Sequence, residues 1–193
     1  YGLAIALLFP LSYGIYDFIV TRDVNIISII GLVSILLTGI LGLFQFAPMW
    51  VAIKEASVPL IIAIIVIISE YTKYPVVRKM LYNESIMDVP VIQQKLLDNS
   101  NEKLFSALMR KCAYFISLSF VFSSVLNYSL AVYIVKSKPG TVEYTQEIGK
   151  MTGLSFPVIA IPSMILMAII LFYMIKQIKK LTNLEFEQIF KNQ

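Results

Sequence analysis

Five polar residues stand in or beside stretches that are otherwise apolar, and they are where this sequence concentrates its capacity for chemistry: Asp17, the adjacent Lys54 and Glu55, Arg110 and Asn127. An Asp, Lys or Arg at mid-bilayer costs roughly 2.5–3.5 kcal/mol on translocon scales, so such a residue needs a partner or a purpose. Three roles fit these types: lining a path for a substrate or proton, pairing between helices, or reaching the headgroups with a long side chain. Asp17 is expected near the inner end of its helix, within reach of Arg22 or Arg110. Lys54 and Glu55 are expected near the outer end of theirs, on different helix faces and with separate partners. Asn127, flanked by Ser123, Ser124 and Ser129, reads as an interhelical hydrogen-bonding residue, a contact worth about 0.6 kcal/mol on average.

The constellations that enzymes use are missing from this inventory. There is no histidine, which removes the usual general base and the commonest metal ligand. The single Cys112 rules out thiolate zinc or iron–sulfur sites and any internal disulfide, and reads as a small packed hydrophobe. No Walker or dinucleotide glycine loop is present, and no two carboxylates share a span at helical spacing. The expectation is a non-enzymatic protein with no catalytic, cofactor or metal residues.

Long apolar helices must position the five residues. From Val24 to Ile53 thirty residues pass without one ionisable side chain, and Cys112 to Val135 and Met151 to Met174 are comparable, against about 20 residues needed to cross a hydrocarbon core of roughly 30 Å. Hydrophobic residues make up 58% and charged ones 15%, which excludes an ordinary soluble domain. The predicted fold class is all-α: a polytopic membrane protein, a bundle of five transmembrane helices with short interfacial helices, in a single domain. Spans are expected over 2–20, 26–46, 56–71, 112–134 and 153–174. The third is taken to begin with Ser57 as N-cap and Pro59 in the first turn. The fourth sits in a longer helix from about 101 to 133, opened by an Asn99/Glu102 capping box, and the fifth contains Pro157 and Pro162, which neighbouring helices must accommodate.

Outside the spans, 72–103 carries the apolar sets Val76/Val77 with Met80/Leu81 and Val91/Ile92 with Leu96/Leu97. These read either as two short helices flat at the headgroups or as a folded cap on the bundle. Pro139-Gly140 reads as a turn, and 175–193 as a polar tail. The chain opens on Tyr1 with no methionine, which leaves room for preceding residues and for a cleavable signal.

Lysine and arginine then set the orientation. With five spans, Arg22, Lys73, Arg78, Lys79, Lys95, Lys103, Arg110, Lys111, Lys176, Lys179, Lys180 and Lys191 fall on one side and Lys54, Lys136, Lys138 and Lys150 on the other, twelve against four. The positive-inside bias places 72–103 and the C-terminus in the cytoplasm and the N-terminus outside. The net charge of +4 is therefore explained by anionic headgroups, and no nucleic-acid binding is expected.

The segments Pro10-Leu11-Ser12-Tyr13-Gly14-Ile15-Tyr16-Asp17, Thr38-Gly39-Ile40-Leu41-Gly42, Glu55-Ala56-Ser57-Val58-Pro59-Leu60 and Asn127-Tyr128-Ser129-Leu130-Ala131 resemble those of bacterial inner-membrane proteins related to intracellular septation protein A, including the septation-protein-A-like branch. The chain departs from septation proteins proper in its longer 72–103 segment and in carrying one tryptophan, Trp50. The resemblance implies a five-helix protein of the bacterial inner membrane with a cytoplasmic C-terminus. It would act through membrane lipids and protein partners as a scaffold or accessory subunit of an envelope complex. The rival expectation is a small transporter or lipid-handling protein with a polar intramembrane site.

Overall fold

The computed structural model describes residues 47–84 and 86–190. The first two expected spans, and Asp17 with them, lie outside the described residues. Those described are helical throughout, apart from turns and one isolated antiparallel bridge between Met87 and Phe190. In chain order the helices are α1 (Pro48–Ser69), α2 (Val76–Leu81), α3 (Val89–Asp98), α4 (Glu102–Ile134), α5 (Val142–Ser155), a π-helical turn (Phe156–Ala160), α6 (Ile161–Thr182) and α7 (Phe186–Ile189). Among the described residues three runs are long and apolar enough to cross a membrane: α1, α4, and the stretch Val142–Thr182 that joins α5 to α6. Their outer faces carry residues such as Ile68, Leu118 and Phe172, 58%, 64% and 69% exposed. Apolar surface on that scale needs a cover, and lipid supplies it.

Helix α1 begins earlier than expected. Ser57 does not cap it; its hydroxyl donates back to the carbonyl of Ile53, a mid-helix contact, and Pro59 lies inside the helix. The apolar residues 48–53 extend the helix backward through Lys54 and Glu55, because the backbone of a chain in lipid has no water to fall back on. The Asn99/Glu102 capping box is likewise not what forms. Asn99 terminates α3, and its side-chain amide donates to the carbonyl of Leu181 at 3.1 Å, as that of Asn101 does at 2.8 Å. The last expected span is also longer, since helix continues through Thr182 and the lysines 176, 179 and 180 ride on its final turns. Pro157 falls within the π turn and Pro162 directly after it, at the start of α6, so both lie where the regular hydrogen-bond ladder of the run is already altered.

By its contacts the chain divides into two compact units. The first takes 47–59 and 123–159. Its core is Val51, Ala52, Ala131, Val135, Tyr144 and Met151, and the Ser124 hydroxyl, donating to the carbonyl of Ala56 at 2.7 Å, joins α4 to α1. The Glu147 carboxylate accepts from the backbone N–H groups of Lys136 and Ser137 and from the Ser137 hydroxyl, all at 2.8 Å. Beyond it the chain turns at Pro139-Gly140, where Gly140 takes φ 84°, and Thr141 caps α5 by accepting from Tyr144 N–H.

The second unit takes 60–122 and 160–190. Cys112, Ile116, Ile170, Met174 and Ile178 form its core, and Ser117 donates to the carbonyl of Ala63 at 3.0 Å. The 72–103 segment does form two short helices, α2 and α3, and they pack into this core through Val77, Ile92 and Leu96. Asp88 caps α3 with its carboxylate, and its N–H donates to Ile189 carbonyl at 3.0 Å. Residues 183–190 are therefore bound structure: Asn183 ends α6 in the left-handed region, a Glu185/Gln188 capping box starts α7, and Ile189 is fully buried. Ile92 is also fully buried, so Ile92→Ala leaves a void and is expected to cost about 2–5 kcal/mol, read as a lowered thermal midpoint of the purified protein in detergent.

Candidate functional site

The first unit brings together three of the residues singled out by type. Lys54 and Glu55 from α1 and Asn127 from α4 line one cavity of about 270 Å³, completed by Leu130 of α4 and by Met151, Thr152 and Ser155 of α5. Room for several waters follows from a liquid volume of about 30 Å³ each. Lys54 sits six residues into α1, about 9 Å along the axis at the usual rise, so the pair belongs to the interior of an apolar helix.

Lys54 and Glu55 do not seek separate partners. Their side chains close on each other, Nζ to Oε1 at 3.0 Å, with 11% and 28% of side-chain surface exposed. Neighbouring residues diverge around a helix, yet both side chains are long, and in a medium without water the cost of leaving either charge alone exceeds that of bending them together. Asn127 also departs from expectation: its amide donates to the carbonyl of Ser123 at 2.8 Å in its own helix, and Ser124 takes the interhelical role. The Asn127 carbonyl oxygen is then available to the cavity.

The hydroxyls are oriented the same way. Thr152 donates to Ile148 carbonyl at 2.9 Å and Ser155 to Thr152 carbonyl at 2.5 Å, so both oxygens offer lone pairs outward. Pro59 has no N–H for the carbonyl of Glu55 four residues back, which removes one helical bond beside the pair, and the π turn begins directly after Ser155. The cavity thus collects one ammonium, one carboxylate and three neutral oxygen acceptors. Sequence reasoning missed Thr152 and Ser155 because serine and threonine are common in membrane helices; their i, i+3 spacing beside a proline-bearing turn was the available signal.

Arg110 belongs to the second unit and stands exposed on α4 beside Glu102, Lys103, Ala107 and Tyr114. Its field reaches Glu70, which follows α1 and which the sequence did not single out. Burial raises the Glu70 carboxyl above its ordinary value, and Arg110 and Arg78 pull it down only in part. One of its oxygens is buried without a hydrogen-bond partner. Among the described residues no group of histidine, cysteine or carboxylate side chains is arranged to hold a metal.

Comparisons of the chain with known protein families, with curated proteins and with solved structures return no match.

Two measurements test these electrostatics. Lys54→Gln and Glu55→Gln should each destabilise by about 1–3 kcal/mol, below the cost of breaking a fully buried pair because both groups keep some exposure. The double variant should lose less than the two singly combined, a coupling that a double-mutant cycle of thermal midpoints resolves. For Glu70 the raised carboxyl means that the folded chain holds the proton more tightly than the unfolded one. Its contribution is complete below about pH 4.5 and disappears as pH rises through the folded value. Glu70→Gln is therefore expected to raise the thermal midpoint at pH 7 and to leave it unchanged below pH 4.5.

Proposed function

We propose that this chain is a small multi-pass transport protein whose intramembrane site takes up a proton or a small monovalent cation at Glu55, with Lys54 as the resident counter-ion. The observation that carries the reading is the convergence of Lys54, Glu55 and Asn127 on one cavity inside apolar helices. An ammonium held against a carboxylate keeps the empty site neutral. A proton arriving on Glu55, or a cation arriving beside it, releases Lys54. The acceptors on Asn127, Thr152 and Ser155 then solvate whichever charge is left without its partner. Acid–base exchange of this kind needs neither histidine nor metal, in keeping with the composition. In this proposal the chain sits in the bacterial inner membrane with five spans, its N-terminus outside and its C-terminus in the cytoplasm.

The scaffold reading draws on a different observation. The second unit exposes Tyr71, Tyr74, Ile86 and Phe186 outside its long helices, at 75%, 76%, 49% and 51%, and aromatic surface of this kind suits a protein partner. Flux separates the two. In proteoliposomes enclosing a pH-sensitive dye, the intact chain should dissipate an imposed proton gradient faster than empty vesicles, and Glu55→Gln should reduce that rate at least about tenfold, as expected for loss of the essential proton-carrying group. A rate indistinguishable from empty vesicles, with a stable protein copurifying from the native membrane, would establish the scaffold instead.

A further inference from the structure

Within the second unit, α4 and α6 leave between them an apolar groove of about 920 Å³, and its residues recur at helical spacing on both walls: Phe115, Leu118 and Phe122 on α4, Ile165, Ile169 and Tyr173 on α6. One cation stands at its head. The Lys111 ammonium lies 5.7 Å from the ring centre of Phe115 and 5.3 Å from that of Tyr173, which hold it by cation–π attraction. The ion pairs among the described residues engage other lysines.

Lys111 also lines a second hollow of about 580 Å³, shared with the charged residues Lys103, Arg110 and Glu102. Three cations stand against Glu102 and against Glu70, which lies in the field of Arg110, and leave this shelf a positive balance. The basic shelf and the apolar groove thus meet at one lysine, Lys111, which lines both. From Lys111 to Phe122 the groove descends about 17 Å along α4, close to half of a hydrocarbon core of roughly 30 Å. That is the depth occupied by the acyl chain of a single leaflet.

We propose that this groove is a binding site for one anionic phospholipid, an acyl chain lying between α4 and α6 and the phosphate on the shelf of Lys111, Arg110 and Lys103. Charge and depth together select this occupant. A partner helix would need no cation at one end, and a zwitterionic lipid would bring a second positive charge to a basic shelf. The site is independent of the cavity at Glu55, and its test does not depend on transport.

The test is native mass spectrometry of the full chain in detergent, with phosphatidylglycerol or phosphatidylcholine added. The intact protein should retain phosphatidylglycerol in preference to phosphatidylcholine. Lys111→Gln should lower that retention about fivefold, the effect of roughly 1 kcal/mol per basic residue at an anionic surface, and Lys111→Arg should preserve it. Ile169→Trp, which fills the groove, should lower retention of both lipids and carries the test independently of the charge variant. Lys180→Gln should change nothing. Equal retention of the two lipids by the intact protein, unaltered phosphatidylglycerol retention in Lys111→Gln or Ile169→Trp, or an equal loss in Lys180→Gln would each overturn the proposal.

Discussion

An ammonium and a carboxylate cannot each stand alone in a layer of apolar helices, and the 3.0 Å contact between Lys54 and Glu55 is how this chain meets that constraint. The pair could have been left at a helix end, where water would cover it, but α1 extends beyond it to Pro48. Once the helix runs through, the two charges must answer each other. The acceptors of Asn127, Thr152 and Ser155 supply the polarity that a buried pair requires.

The same absence of water explains how serine is used. Ser117 and Ser124 each donate to a carbonyl of α1, at Ala63 and Ala56, so that within each unit one hydroxyl joins α4 to α1. Other hydroxyls, at Ser57, Ser69, Thr152 and Ser155, return to carbonyls of their own helices. Proline is handled locally too. Pro59 interrupts one bond beside Glu55, and Pro157 is taken up by a π turn, so the chain places its irregular backbone near its polar side chains.

Much of this was legible in the residues. Charge-free length alone identified the helices over 112–134 and 153–174, and the Val91/Ile92 and Leu96/Leu97 pattern located α3, because apolar periodicity is imposed by the medium each helix faces. Helix ends were harder to read. Ser57 and Asn99 have the chemistry of caps, yet Ser57 sits in mid-helix and Asn99 binds Leu181, eighty-two positions away. Local propensity cannot know what tertiary partner will compete for a side chain. For the site, residue type was informative and geometry was not: Lys54, Glu55 and Asn127 stood out as polar residues among apolar ones, whereas their convergence depends on how α1, α4 and α5 pack. The basic shelf at Lys111 looked like an ordinary membrane-boundary cluster, since its link to an apolar groove is made by α6, some fifty residues further along.

The contacts that close the second unit also impose an order on its making. Asp88 reaches Ile189, Met87 pairs with Phe190, and Asn99 and Asn101 both clasp Leu181, so the surroundings of α3 are completed by segments synthesised some eighty to a hundred residues later. At translation rates of about 5–20 residues per second, the apolar faces of Ile92 and Leu96 emerge several seconds before Ile178 and Ile189 arrive to cover them. During that interval a chaperone or a membrane surface would have to cover this stretch of the newborn polypeptide.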